Sequence, residues 1–242
     1  MNFKYLCQQY GLGRFQTACP MDSGTVARVW KLTTDQGAFL VRSLTEKEQG
    51  EREWKLHQHL RGRGFTAMPA ILVPYFEQDG LWYQVQTFLD GTMPDPAQPG
   101  MAAAMADTAK RLTAALADYP SGTVIHGDLG PWNLLKGEDG QISVIDFGEV
   151  RPGDPCFDYA ALLAGIINHA PAEARETACR EFLAELDCDR TGLLEQLRLW
   201  AAEGICRWTG KNENMVSRFH HALNWAEEHL PQRANARRGP RI

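Results

Sequence analysis

The segment at residues 124–148, VIHGDLGPWNLLKGEDGQISVIDFG, constrains the fold of this chain more than any other. Its turn signal KGEDGQ separates two short apolar runs, TVIHGDL and ISVIDFG. This pattern predicts a loop over 126–133 and places Asp146 at the end of a strand. Reactive side chains collect on loops and at strand ends of a rigid scaffold, so the segment also predicts a functional site.

The polar residues of this segment have the spacing used in kinase chemistry. Asp128 and Asn133 are five residues apart in the arrangement H-x-D-x-x-x-x-N, and Asp146 begins a D-F-G tripeptide. Phosphoryl transfer needs a cation across the phosphates, an oriented hydroxyl and a neutralised transferring group. We expect Asn133 and Asp146 to supply oxygen ligands for Mg²⁺. Asp128 would accept the proton of the attacking hydroxyl, and His126 would fix the loop.

The N-terminal part predicts a small sheet with one inserted helix. Residues 24–42 indicate a β-hairpin around the turn TTDQG, and the apolar runs AILVPYF and LWYQVQTFL indicate a second pair of strands around EQDG. In the helix between them, Thr45 and Glu48 fit a capping box, in which Thr45 accepts the amide of Glu48 and Glu48 bonds back. One face of this helix carries Glu53, Leu56 and Leu60.

The composition changes at residues 90–100, DGTMPDPAQPG, as expected of an exposed connector. Beyond it, five segments have the composition and period of helices. They are MAAAMADTAKRLTAALADY, FDYAALLAGIINH, AEARETACREFLAEL, RTGLLEQLRLWAAEGICRW and NMVSRFHHALNWAEEHL.

The stretches HGDLGPWNLL and ISVIDFGEVRPGDPCFDYA resemble the signature of the aminoglycoside phosphotransferase and choline kinase-like family, over most of residues 15–165. The resemblance implies an α+β, bilobal, protein-kinase-like fold that uses ATP or GTP with Mg²⁺ to phosphorylate a small-molecule hydroxyl. It implies a β-rich nucleotide-binding lobe at 1–89, a hinge at 90–100, a mainly helical lobe at 101–230 with the catalytic loop, metal site and acceptor pocket, and a basic tail at 231–242.

By position, the resemblance makes Asp128 the catalytic base and Asn133 and Asp146 the Mg²⁺ ligands. Asp158 matches the aspartate that begins the next helix and braces the loop, although a plain helix N-cap is the alternative. Arg42 stands where such kinases often place a lysine over the phosphates, and arginine differs from lysine in length and planarity. The remaining predicted nucleotide contacts are Glu53 as the helix partner of Arg42, Ser23, Gly24 and Thr25 in the phosphate loop, and Thr87 and Leu89 at the hinge.

Protein kinases present peptides on a long segment that ends in A-P-E, and here the chain runs from the D-F-G into a helix with almost no loop. The acceptor is therefore expected in a pocket beside the catalytic loop. Candidate contacts are Trp132, Trp200, Glu203, Arg207 and Trp208. Tryptophans at helical spacing also pack in cores, which is the alternative for that face.

Charge and composition limit the partners. The net charge is −5 even though the basic tail carries Arg233, Arg237, Arg238 and Arg241, so the rest of the chain is more acidic still. No nucleic-acid partner is therefore expected. Six cysteines without a C-x-x-C pair argue against a zinc site or a disulfide framework. No apolar run is long enough to span a membrane and no secretory signal is evident, so a cytoplasmic location is expected.

Two competing functions fit the same fold. Arg42 and the phosphate loop with a single glycine, Gly24, leave open a pseudokinase or coat-type structural protein that binds nucleotide without turnover. The other is a protein Ser/Thr kinase. The presence of Asp128, Asn133 and Asp146 together favours an active small-molecule kinase over the first of these.

Overall fold

The computed structural model describes residues 1–21 and 28–230. Up to Gly91 the described chain forms two helices and five strands: α1 (Phe3–Tyr10), β1 (Phe15–Met21), β2 (Val29–Thr34), β3 (Gly37–Leu44), α2 (Lys47–Gly62), β4 (Ile71–Gln78) and β5 (Leu81–Thr87). The strands form one antiparallel sheet in the order β1-β2-β3-β5-β4.

Both predicted hairpins are confirmed. β2 pairs with β3 from Val29 opposite Arg42 to Thr34 opposite Gly37. β4 and β5 are joined by Asp79 and Gly80, whose φ angles of 55° and 73° suit a two-residue hairpin turn that matches the twist of the strands.

The two faces of the sheet have different neighbours. On one face, Val41 and Val85 are fully buried against Leu6 and Cys7 of α1. Side chains alternate along a strand, so Arg42 points to the opposite face, where it meets Glu53 of α2. The predicted inward face of α2 is confirmed, because Glu53, Leu56 and Leu60 are all buried.

The one helix predicted to be inserted in the sheet is confirmed as α2, which lies between β3 and β4. α1 and β1, at the start of the chain, are additional elements that were not predicted. The amide of Tyr5 donates to Asn2 Oδ1 at 3.1 Å, and Gly11 ends α1 with a φ of 65°. These two capping residues are the signal that would have located a helix too short to show a clear period.

The predicted capping box is wrong by one position. α2 begins at Lys47, and the side chain that reaches back to Thr45 belongs to Gln49. Gln49 Oε1 accepts from both the amide and the hydroxyl of Thr45 at 3.0 Å. Gln49 takes the place predicted for Glu48, since the helix starts one residue later than the box requires.

Beyond Gly91 the five predicted helices are confirmed, separated by short strands and turns. In chain order these are α3 (Met101–Leu116), β6 (Val124–Ile125), a 3-10 turn (Pro131–Asn133), β7 (Leu134–Lys136), β8 (Ile142–Val144), a second 3-10 turn (Phe147–Glu149), β9 (Arg151–Pro152), α4 (Cys156–His169), α5 (Ala172–Glu185), α6 (Arg190–Trp208) and α7 (Glu213–His229). In the ranges 1–21 and 28–230, no helix combines the length and apolar character needed to cross a bilayer.

The chain divides into two compact units. The first contains Met1–Gly91 and Gly137–Gly148, and the second contains Thr92–Lys136 and the described residues from Glu149 onward. Gly137–Gly148 was predicted to belong to the 101–230 lobe, and the structure groups it with the first unit, where Val144 N–H donates to the carbonyl of Ala67 at 2.8 Å. In the second unit, α4 is central and packs against α3, α5, α6 and α7.

Candidate functional site

In the second unit, the short strand β6 leads directly into the predicted catalytic loop. Gly127 has a φ of 84°, and a Cβ at this position would overlap the carbonyl oxygen of Glu149. Only glycine satisfies both the backbone angle and the close approach. The glycine of H-G-D is therefore required by the geometry of the loop.

A buried carboxylate holds this loop in place. Asp158 Oδ2 accepts from His126 N–H at 2.7 Å and Oδ1 accepts from Gly127 N–H at 2.9 Å. Burial raises the pKa of Asp158 to about 6, and the two N–H bonds oppose that shift. The N-cap of α4 is Pro155, without a side-chain capping bond, so Asp158 braces the loop and does not cap its own helix.

Asp128 and Asn133 are in direct contact. Asn133 Nδ2 donates to Asp128 Oδ2 at 3.0 Å and to the backbone carbonyl of Asp128 at 2.8 Å. Because the Nδ2 atom faces Asp128, the Oδ1 atom of Asn133 is turned away from it. Trp132 Nε1 lies 3.4 Å from Asp128 Oδ2. These contacts fix the Asp128 carboxylate in one orientation.

The second unit also contains a cavity of about 370 Å³ with Asp128 in its wall. The five predicted acceptor contacts, Trp132, Trp200, Glu203, Arg207 and Trp208, all line it. Its other walls come from Gly127, Phe157, Asn168, His169, Gly204, Met215, Arg218 and Phe219. The size is at the lower end of the range for small-molecule sites. Residues from α4, α6 and α7 thus meet the catalytic loop around one space.

In the first unit, Arg42 lies at the centre of a polar network. Its guanidinium forms an ion pair with Glu53 and lies 3.5 Å from Asp146 Oδ1. Nε of Arg42 donates to Gln84 Oε1 at 3.2 Å. The side chains of Arg42 and Glu53 are only 12% and 5% exposed, and that of Asp146 is 60% exposed. The three predicted residues of this unit are thus brought together.

Asp146 has a strained backbone. Its φ of 59° lies in the left-handed region, which aspartate visits rarely. Strain of this kind persists only where the surrounding structure imposes it, and it is frequent at functional sites. The following residue, Phe147, packs against His57 with the ring centroids 4.9 Å apart. The D-F-G tripeptide is therefore anchored to α2.

His57 was not predicted as a member of this site. Its Nδ1 is 3.1 Å from the carbonyl of Pro69, and burial lowers the pKa of His57 to about 4. An uncharged His57 therefore contributes stability above its ordinary pKa of 6.5, and that contribution is lost as the pH falls toward 4.

Between pH 7 and pH 4.5, we expect the free energy of unfolding of the wild type to fall by about 2–3 kcal/mol more than that of His57→Gln. Urea titrations of both proteins at the two pH values measure it. The raised pKa of Asp158 has the opposite effect on stability, because it favours the folded state in acid. This contribution is the same in both proteins and cancels in the comparison. The exposed His220→Gln serves as the control, and equal pH profiles for wild type and His57→Gln would contradict the assignment.

The hinge and phosphate-loop predictions have different outcomes. Thr87 ends β5, and its N–H is already used, because it donates to the carbonyl of Ala70 at 2.9 Å. Leu89 follows two residues later and is half-buried. Ser23, Gly24 and Thr25 lie outside the described residues, as does the basic tail.

Sequence reasoning missed several polar residues. Gln84 and Gln86 of β5 are buried and hydrogen-bonded to each other, with Gln84 facing Arg42. The alternation Q-V-Q in an apolar strand was the available signal, since buried amides need partners. Arg151, which pairs with Glu203 at 2.7 Å, and Arg218 in the cavity gave no comparable signal.

A loop aspartate bonded to an asparagine five residues later, and an Arg–Glu pair beside the aspartate of D-F-G, define a phosphotransferase with a protein-kinase-like fold. The model of the phosphotransferase enzyme family (APH) matches the sequence over residues 17–121 and 102–200. The chain belongs to this family, and the predicted family, fold and enzyme class are confirmed.

Solved structures with the same fold are distant in sequence. The aminoglycoside phosphotransferase of Alicyclobacillus acidocaldarius is 14% identical, with a TM-score of 0.63, over 88% of this chain and 89% of its own. APH(4)-Ia with ADP and hygromycin B is 12% identical, with a TM-score of 0.66, over 95% of this chain and 99% of its own. AMP-bound spectinomycin phosphotransferase, APH(9)-Ia, is 10% identical, with a TM-score of 0.69, over 95% of this chain and 98% of its own. No curated protein sequence matches the chain.

Proposed function

We propose that this protein transfers the γ-phosphoryl group of ATP to a hydroxyl group of a small molecule, with Asp128 as the proton acceptor. The observation that carries the proposal is the position of Asp128 in the wall of a cavity large enough for such a molecule. A hydroxyl bound there meets a carboxylate that is held in one orientation by Asn133 and Trp132. A general base must be within hydrogen-bond reach of the proton that it removes.

Asp158 supports Asp128 indirectly. By accepting two backbone N–H groups of the loop, it sets the position of the chain immediately before Asp128. A displacement of the base by as little as 1 Å is costly in a reaction that depends on orientation. We assign Asp158 as a positioning residue, and Asp128 as the group that touches the acceptor.

The nucleotide is assigned to Arg42, Glu53 and the hinge. Arg42 offers a planar, permanently charged fork suited to phosphate oxygens, and Glu53 keeps that fork in place. The carbonyl of Thr87 and the backbone of Leu89 would meet the purine. Solved relatives of the same fold bind ADP, AMP-PNP or AMP, which supports ATP, with GTP as the alternative.

The residues present fit Mg²⁺. Asp146 offers an exposed carboxylate and Asn133 a carbonyl oxygen that faces away from Asp128, and hard oxygen ligands are those that Mg²⁺ prefers. The described residues contain no group of three or more acidic, histidine or cysteine side chains able to hold a metal. This agrees with the usual Mg²⁺ site, which uses one or two carboxylates together with substrate phosphates and water. When bound, the ion would neutralise charge on the phosphates.

We expect Mg²⁺ with ATP to raise the free energy of unfolding by about 2.7 kcal/mol at a concentration a hundred times the dissociation constant. Asp146→Asn should remove most of this increase, because the variant lacks an anionic ligand. Thermal unfolding with and without Mg²⁺ at constant ATP measures the effect, and Asp139→Asn, a surface change in the same unit, is the matched control. An Asp146→Asn variant as strongly stabilised as the wild type would contradict the metal assignment.

A screen for transfer from labelled ATP tests the reaction itself. Label on a small hydroxyl compound is the expected result. Label on peptides alone would favour a protein kinase, and nucleotide binding without any transfer would favour a pseudokinase.

A further inference from the structure

The charged side chains of the acceptor cavity are not those of a site for a polycation. Two acids and two arginines line it: Asp128, Glu203, Arg207 and Arg218. One of the acids is neutralised, because Glu203 Oε2 accepts from Arg151 Nη2 at 2.7 Å. The other acid of the lining, Asp128, is the residue that the proposed function assigns to the reacting hydroxyl.

The two arginines of the cavity have no acidic partner among the residues that the structure describes. Within 1–21 and 28–230, no carboxylate forms a salt bridge with Arg207 or Arg218. Arg218 Nη2 instead lies 2.7 Å from His169 Nε2. Burial, with a smaller effect of Arg218, lowers the pKa of His169, so the ring is neutral and accepts this hydrogen bond. The arrangement orients the Arg218 guanidinium without neutralising it.

Five aromatic residues also line the cavity. Trp200 and Phe219 pack with their ring centroids 4.6 Å apart, and the other three are Phe157, Trp132 and Trp208. Flat, apolar walls of this kind bury a planar or hydrophobic body. The cavity thus offers three features to one ligand: a base for a hydroxyl, an aromatic enclosure and a pair of uncompensated cations.

We propose that the acceptor is a hydroxyl compound with a planar or apolar body and an anionic group, a carboxylate or a phosphate, that binds Arg207 and Arg218. This inference rests on the proposed function and specifies its substrate class. Guanidinium groups bind carboxylates and phosphates through two parallel hydrogen bonds, which give both affinity and orientation. A polycationic amino sugar would place like charges beside both arginines, which like-charge repulsion disfavours.

Three probes with one scaffold and different charges test the substrate class: 4-(hydroxymethyl)benzoate, 4-(hydroxymethyl)benzamide and 4-(hydroxymethyl)benzylamine. Binding to the full chain with Mg²⁺ and ADP is measured by calorimetry, without turnover. We expect the anion to bind about tenfold more tightly than the amide, the value of one charge-assisted contact. The cation should bind most weakly.

Arg207→Gln should remove most of the preference for the anion and leave the affinity for the amide unchanged. Arg207 is exposed, so its replacement does not disturb a buried contact. Arg218→Gln should act in the same direction, and Arg180→Gln, an exposed arginine of α5 outside the cavity, should have no effect. Tightest binding of the cation, binding of none of the probes, or a preference that survives both cavity variants would overturn the inference.

The same probes separate this inference from the proposed function. If labelled ATP phosphorylates the amide or the benzylamine as well as the benzoate, the enzyme is a small-molecule kinase and the assigned substrate class is wrong. If the benzoate binds through Arg207 and no acceptor is ever labelled, the anion site stands and the proposed phosphoryl transfer fails.

Discussion

Asp128→Asn should lower the turnover of phosphoryl transfer by a factor of about 10²–10⁴ and leave nucleotide affinity nearly unchanged. Asparagine keeps the shape of the side chain and its bond to Trp132, so the loop should keep its structure. It has no basic oxygen to accept the proton of the attacking hydroxyl. Single-turnover transfer from labelled ATP, with the acceptor found in the screen, measures the rate. Displacement of a fluorescent ADP analogue measures nucleotide affinity.

Asp154→Asn is the matched control for this variant, because Asp154 lies in the same unit, just before α4 and outside the cavity lining, and its Oδ1 accepts from Cys156 N–H at 2.9 Å. It should retain wild-type turnover. Equal turnover in Asp128→Asn and the wild type would refute the role of Asp128 as base. A loss of nucleotide affinity as large as the loss of rate would show that Asp128 acts on the nucleotide instead.

Arg42→Met should reduce the free energy of unfolding by about 3–5 kcal/mol, because it leaves the buried carboxylate of Glu53 without its counter-charge. The Glu53 side chain is 5% exposed, so water cannot replace the guanidinium. The contact between Arg42 and Asp146 should contribute little, since Asp146 is 60% exposed. Urea unfolding of both proteins at pH 7 measures the difference.

The double variant Arg42→Met/Glu53→Leu separates charge burial from packing. It should recover most of the lost stability, since buried ion pairs are often replaced by apolar residues without loss. It should still bind Mg²⁺ with ATP more weakly than the wild type, because the phosphate contact is gone. A single variant within about 1 kcal/mol of the wild type would show that Glu53 finds another partner, and would contradict the network described above.

Local signals in the sequence were sufficient for most elements of the fold. The hairpins were predicted because their turns contain residues that tolerate positive φ, such as Gly80. The helices from 101 to 230 were predicted from period and composition. α1 and β1 escaped because one is eight residues long and the other, with Pro20 at the sheet edge, has weak alternation.

The residues around Asp128 could be predicted from the sequence for a related reason. Asp128, Trp132 and Asn133 are neighbours in sequence, and a single loop brings them into contact. Asp158, which braces the loop from α4, was predicted from the resemblance, whereas the contacts of Arg151 with Glu203 and of Arg218 with His169 join distant segments and were not predicted. Gln84 and His57 were likewise found only through their contacts in the first unit.

The sequence by itself determined the class of chemistry, because Asp128, Asn133 and Asp146 lie within one short segment whose spacing, set by a loop and a strand end, matches that of kinases. The tertiary structure decided what surrounds that chemistry. Side chains of α4, α6 and α7, far from Asp128 in sequence, form the cavity through helix packing; among the described residues Glu203 pairs with Arg151, and no carboxylate pairs with Arg207 or Arg218. Long-range contacts of this kind have no local period or motif, since each depends on how whole elements pack.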